Sequence, residues 1–245
     1  MVISRTIAAV QVRLDSSRLP MKALAPLAGT SSLVEVLCER VWMEEVDLWL
    51  LTTERGLDDP LAALGERLGV NVFRGSESDV LSRFARVCEL SDATWCVRLT
   101  ADNPFTDRRI LRHLVAQASK APLSVSWIGD FDHLFPLGYV PEIVRCSVLT
   151  DLHHQLPLGE VTHREHVTSA IPLNERLALE NFDEPSRPFW RWTVDEEVDL
   201  VMAQQAFALF DGRWSSAEYS AFVEALDRHP SITSLNSHVV QRRFN

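Results

Sequence analysis

Val10-Gln11-Val12-Arg13-Leu14-Asp15-Ser16-Ser17-Arg18-Leu19-Pro20-Met21-Lys22-Ala23-Leu24 is the stretch from which the rest of the chain can be read. Its first residues close an apolar strand, Ile7 to Val12, and the loop beyond sets three permanent cations, Arg13, Arg18 and Lys22, around the hydroxyls of Ser16 and Ser17. A loop leaving a buried strand exposes backbone N–H groups and can aim two guanidinium forks and an ammonium at one anion. Such a loop suits a triphosphate. Taken alone, three basic residues in a loop more often mean solvated surface charge.

Outward from this loop the chain alternates. Ser32-Leu33-Val34-Glu35 is a capping box, and Leu33, Val36, Leu37 and Val41 follow at helical spacing, which predicts a first helix. Asp47 to Thr52 is a second strand, and Asp59-Pro60 opens a second helix with Asp as its cap, lined by Leu61, Leu64 and Leu68 and stopped by Gly69. Val70 to Phe73 is a third strand, Asp79 begins a third helix with the stripe Val80, Leu81, Phe84, Val87 and Cys88, and Thr94 to Thr100 is the next strand. This order predicts an α/β fold, a doubly wound, mainly parallel sheet with helices on both faces. Ligands then sit beyond the carboxyl ends of the strands, the edge onto which Arg13, Thr53, Ser76 and Asp102 all emerge.

A chain of 245 residues with 46% hydrophobic and 24% charged residues supports one large domain. Its net charge of −10 argues against a nucleic-acid polymer as partner, since phosphate backbones are bound through broad basic surfaces. Cys38, Cys88, Cys96 and Cys146 are not closely paired, no run reaches the ~20 apolar residues of a membrane span, and no signal-peptide pattern is visible, so a reduced, cytoplasmic protein is expected. Trp42, Trp49, Trp95 and Trp127 fall in core-like segments, where packing is the expected role.

Residues 119–181 break the alternation with prolines and glycines, predicting hairpins and short helices. Trp190 to Val194 is expected as a late strand, Glu196 to Phe210 and Ala217 to Leu226 as helices, and His229 to Asn245 as a surface arm. Asp102, in Thr100-Ala101-Asp102-Asn103-Pro104, has the ordinary formula of a turn, and Asp195 the ordinary place of a helix cap. His163-Arg164-Glu165-His166 lacks both H-E-x-x-H spacing and a third ligand, which argues against zinc. Arg98 lies within a strand, where pairing with a carboxylate competes with substrate contact.

The pattern R-x-x-S-x-R-L-P-x-K directly after the first strand resembles the signature of the cytidylyltransferase family that includes the CMP-sugar-acid synthetases, most closely its spore-coat polysaccharide branch. Further matches are the turn at Asp102, close to the family's G-D-x-P, the run Val194-Asp195-Glu196-Glu197-Val198-Asp199-Leu200, which fits V-D-x-x-x-D-L, and Arg164-Glu165-His166-Val167-Thr168. The chain departs at Asp15, where the family carries Gly or Ala, at Met21, often Gly, and at Ala101.

The resemblance implies a Rossmann-like, nucleotide-diphospho-sugar-transferase type of fold. One domain would span 1–245, with a nucleotide-binding half at 1–118, an acceptor-binding and dimerising insertion at 119–181 and a returning segment at 182–245. It further implies CTP bound by Val12, Arg13, Ser16, Arg18, Lys22, Thr53, Ser76, Asp79, Arg98 and Thr100. Arg13, Lys22 and Asp102 would be catalytic, Mg²⁺ would sit on Asp102 and Asp195, a small acidic acceptor would meet Arg164 and His166, and the enzyme would be a homodimer. The expected reaction is attack by an acceptor oxygen on the α-phosphate of CTP, giving a CMP-linked product and pyrophosphate, with no protein nucleophile required. Two alternatives stay open. A nucleotide-sugar glycosyltransferase would use the same sheet edge, although no Asp-x-Asp motif stands at a strand end, and a non-catalytic nucleotide-binding subunit would explain Asp15 and Met21.

Overall fold

A computed structural model describes residues 5–241. Strands β1 (Thr6–Gln11), β4 (Asp47–Thr53), β5 (Asn71–Gly75) and β6 (Trp95–Thr100) run parallel in the order β5-β4-β1-β6. A small antiparallel hairpin, β2 (Pro26–Ala28) and β3 (Ser31–Ser32), fills the connection after the cationic loop. The crossovers are α1 (Leu33–Val41), α2 (Asp59–Leu68) and α3 (Val80–Ser91), with α4 (Arg108–Ala118) after β6. Beyond β6 the sheet continues as β8 (Glu142–Arg145), β7 (Trp127–Gly129) and β9 (Arg176–Ala178). There β8 is antiparallel to both β6 and β7, while β9 is parallel to β7. The fold is therefore the expected mixed, mostly parallel α/β sheet.

Alternation along β1 divides the interior in two, because successive side chains point to opposite faces. Ala8 and Val10 join Leu37, Leu61, Leu111, Phe105 and Trp192 on one face. Ile7 and Ala9 join Leu81, Phe84, Val87 and Cys96 on the other. Helices α5 (Cys146–Gln155) and α6 (Val161–His166) cover the second face beside α3; α7 (Glu197–Ala208), α8 (Tyr219–Asp227) and α9 (Pro230–Thr233) pack on the first.

Local chemistry explains the boundaries. Ser32 and Glu35 form the reciprocal capping box of α1, and Gly69 ends α2 with φ +69, a conformation only glycine adopts without strain. Asp79 caps α3 by accepting from the backbone N of Ser82.

Four expectations change. Asp58, rather than Asp59, sits at the cap position of α2, and its side chain is turned elsewhere. Trp42 is 55% exposed, because the chain leaves α1 at that residue. Residues 190–194 form no strand: a single parallel bridge joins Arg191 to Leu137, since the facing segment is itself a turn that offers one residue to pair with. The segment after His229 is no surface arm as far as Gln241, because Ile232 and Asn236 are buried and Gln241 lines the main cavity; residues 242–245 lie outside the described part.

Candidate active site

The carboxyl ends of β1 and β6 open into a cavity of about 490 Å³, within the range of small-molecule sites. Val12, Arg13, Ser16, Arg18, Lys22, Arg98, Thr100, Asp102, His166 and Asp195 all line it. The cationic turn and the two carboxylates thus share one space. Lys22 is the centre of that convergence. Its ammonium donates to Asp102 Oδ2 at 3.2 Å, to Asp195 Oδ1 at 3.1 Å and to the carbonyl of Val194 at 2.7 Å. Arg18 pairs with the same Asp195 oxygen at 2.7 Å.

The loops bearing the two carboxylates are joined directly, the backbone N of Val194 donating to the carbonyl of Asp102 at 2.7 Å. Gly138 makes this approach possible. Its φ is +92, and a Cβ there would lie 2.6 Å from Asn103 Oδ1 and 2.8 Å from the backbone N of Thr193.

Asp195 is held from behind by Arg191, whose guanidinium reaches Asp195 Oδ2 at 2.9 Å and Asp199 Oδ1 at 2.9 Å. Asp199 is fully buried; it accepts from the backbone N of Asp195 and of Glu196, each at 3.0 Å, and from Asn236 at 2.8 Å. Burial alone would raise the Asp195 carboxyl. The charges of Lys22, Arg18 and Arg191 outweigh it and hold the group below the ordinary 3.8, so it is an anion at neutral pH. The aromatic cluster of Phe105, Trp192, Phe207 and Phe222 lies beneath these loops, with Phe105 and Trp192 stacked at 4.6 Å.

On the other side of β1, Asp58 accepts from the backbone N of Leu14 at 2.8 Å and takes a short hydrogen bond from Thr53, which fixes the start of the cationic loop. Asp15 pairs with Arg13 at 3.3 Å and with Arg55 from the loop after β4, so its negative charge is matched by two guanidinium groups. Burial works to raise the Asp15 carboxyl, but Arg55 and Arg13 prevail and lower it. Met21 has φ 62, the left-handed conformation in which a glycine would be at ease.

Four of the expected site residues stand outside the cavity. Thr53 is fully buried on Asp58, and Ser76 is exposed, accepting from the backbone N of Asp79 at 3.2 Å. Asp79 and Arg164 bind each other at 2.6 Å, and the buried guanidinium also donates to the carbonyls of Leu156 and His153. Arg164 is thereby a clasp between α3 and α6, with its donors already engaged. His163 bonds Ser169, and no cluster of three metal-binding side chains exists among the described residues. Sequence reading overlooked Asp58, Arg191, Asn236 and Gly138. Only Asp199 had a visible signal, its place in V-D-x-x-x-D-L.

The chain belongs to the cytidylyltransferase family, whose sequence profile, described as Cytidylyltransferase, matches residues 7–158. It is 33% identical over 235 residues to the spore coat polysaccharide biosynthesis protein SpsF of Bacillus subtilis (strain 168), covering 92% of this chain and 95% of that one. Among solved structures it is similar to a cytidylyltransferase from Leptospira borgpetersenii serovar Hardjo-bovis, with a TM-score of 0.85, 25% identity, and 98% and 99% of the two chains covered. A CMP:2-keto-3-deoxy-manno-octonic acid synthetase complexed with CTP shares the fold at a TM-score of 0.59 and 17% identity, over 84% of this chain and 99% of that one. No helix among the described residues is long and apolar enough to cross a membrane.

Proposed function

We propose that the protein transfers CMP from CTP to a sugar acid or a related small acidic acceptor and releases pyrophosphate. One observation carries this reading: a single ammonium, that of Lys22, bonds carboxylates from two distant loops at a cavity that also holds Arg13 and Arg18. Two carboxylates within reach of one cation offer the hard oxygen donors that Mg²⁺ prefers, so Asp102 and Asp195 fit as its holders. When bound there, Mg²⁺ would act as a Lewis acid toward the α-phosphate and the attacking oxygen.

The chain's own residues do the rest. Arg13, Arg18 and Lys22 offset the triphosphate charge, with Lys22 exchanging carboxylates for phosphate oxygens as the nucleotide arrives. Ser16 and Thr100 line the same walls. Arg98, paired with Glu142 at 2.8 Å, lines the cavity as a nucleotide contact and His166 lines it as a contact for the acidic acceptor; burial lowers the His166 imidazole below its ordinary 6.5. The family membership and the polysaccharide role in the SpsF relative's name support a sugar-derived acceptor. We also propose a homodimer paired through residues 119–181, where Leu123, Leu158 and Leu173 are exposed; light scattering at twice the chain mass checks it.

Incubation with CTP, Mg²⁺ and a panel of sugar acids tests the reaction. Acceptor-dependent pyrophosphate release is expected. Consumption of a nucleotide sugar instead, or no turnover with any acid, would overturn it.

A further inference from the structure

Arg83, one turn into α3, is 2% exposed and lines the cavity, yet it has no ion-pair partner among the described residues. Its guanidinium makes one hydrogen bond, to the carbonyl of Leu51 at 3.1 Å, and its Nε is buried with none. Asp58 and Asp79 act on it electrostatically but neither bonds it: Asp58 accepts from the backbone N of Leu14 and from Thr53, and Asp79 pairs with Arg164. A buried guanidinium with one hydrogen bond and an unpartnered Nε is left short of acceptors, a deficit that acceptor atoms of a ligand would remove. The arrangement is also tightly shaped: a Cβ on Gly75 would lie 2.9 Å from Arg83 Cγ, so the side-chain stem runs against bare backbone. Burial and the nearby Arg13 lower the Arg83 group to about 10, and it still carries its proton at neutral pH.

Position indicates which part of a nucleotide it would meet. Asp102 follows β6 on one side of β1, and Arg83 hangs from the carbonyl of Leu51 in β4 on the other. Triphosphate and metal belong at the first of these places, with Arg18 and Lys22. At the second, the cavity walls beside Arg83 include the apolar side chains of Val12 and Val80, which suit the faces of a flat ring better than a phosphate. Resting on the nucleotide reading above, we infer that Arg83 reads the base: its fork donates to the adjacent O2 and N3 acceptors of cytosine. Uracil presents N3–H at that position and would set donor against donor. A site built for one hydrogen-bonding pattern rejects the other because buried groups are left unpaired.

Binding of CTP, UTP and inorganic triphosphate, measured by calorimetry without acceptor, tests the assignment in wild type, Arg83→Met and Arg83→Lys. Wild type is expected to prefer CTP over UTP by about tenfold or more. Both variants should lose most of that preference while binding triphosphate as before, since an ammonium lacks the planar fork. A merely structural role would weaken all three ligands together. Unchanged discrimination in a folded variant overturns the inference. The wild-type protein alone gives a second test: 3-deaza-CTP, which keeps O2 and the triphosphate but lacks the N3 acceptor, should bind about tenfold more weakly than CTP, and equal binding overturns the inference. Pyrophosphate release from CTP with no base preference removes the role of Arg83 alone; absence of CTP binding removes the nucleotide reading with it.

Discussion

The ammonium of Lys22 lies 3.1 Å from Oδ1 of Asp195, the oxygen that also receives Arg18 at 2.7 Å. With Asp102 at 3.2 Å on its other side, that ammonium occupies the two carboxylates that, on the proposed function, would hold Mg²⁺. On that function, lysine and metal would therefore compete in the free protein.

Lys22→Met is expected to tighten metal binding to the nucleotide-free protein by about tenfold, the scale of one charge-assisted hydrogen bond removed from the competitor. Manganese titration followed by electron paramagnetic resonance reads this directly. The same variant should release pyrophosphate far more slowly, because the triphosphate loses its central cation. Unchanged manganese affinity would show that the ammonium does not guard the site.

Asp102→Asn should reduce pyrophosphate release by roughly 10²–10³, the loss typical of removing one preorganised electrostatic contact. Its side chain is 27% exposed and its only ion pair among the described residues is Lys22, so the melting temperature should barely move. Near-normal turnover would remove Asp102 from the reaction.

Arg191→Met leaves the fully buried Asp199 and the nearly buried Asp195 without their shared guanidinium. Breaking a buried pair by removing one partner costs about 3–5 kcal/mol. Urea unfolding measures that loss, and Asp199→Asn in the same background should recover part of it by removing the stranded charge.

Asp195 and Asp199 both titrate below the ordinary 3.8: burial pushes each up, and their cationic and hydrogen-bond partners more than reverse it. A depressed native value means the unfolded chain takes up protons first as pH falls, so their stabilisation is complete above 3.8 and is lost on descending through the native values. Asp107 has the opposite sign, since burial raises it and the gain there lies at low pH. Urea midpoints should fall from about pH 6 to about pH 3, and fall less in Asp199→Asn.

Met21→Gly weighs two opposed terms. The left-handed φ of 62 costs a non-glycine residue about 1–2 kcal/mol, and glycine's freedom in the unfolded chain takes back about 0.5–1. The first is larger. Thermal unfolding should show a rise of a few degrees, and a fall would place the side chain's own packing above the backbone strain.

Short-range signals were readable and long-range ones were not. Ser32 and Glu35 announce α1 because both halves of the cap lie within four residues. The sheet edge gathers Arg13, Lys22 and Asp102 because alternating strands leave no other place for their loops. Arg191, Asn236 and Asp58 gave no such signal: what each one holds is an accident of tertiary approach, as when Asn236 meets the carbonyl of Arg191 at 3.0 Å. The aromatic pair Trp190 and Trp192 carried strand-like alternation without a strand, since a residue's spacing does not supply the partner it must bond. Thr53, Ser76 and Asp79 lie on the expected edge but are turned into packing and caps, a choice made by neighbours far along the chain.

The bond from the amide of Val194 to the carbonyl of Asp102 also has a meaning for synthesis. A nascent chain that has emerged only through the crossover helices already presents every basic group of the early loop. The acid they are set against, Asp195, arrives some ninety residues after Asp102, so this cavity is among the last parts of the molecule to be completed, and premature release yields a protein with much of its sheet and one wall of the cavity missing.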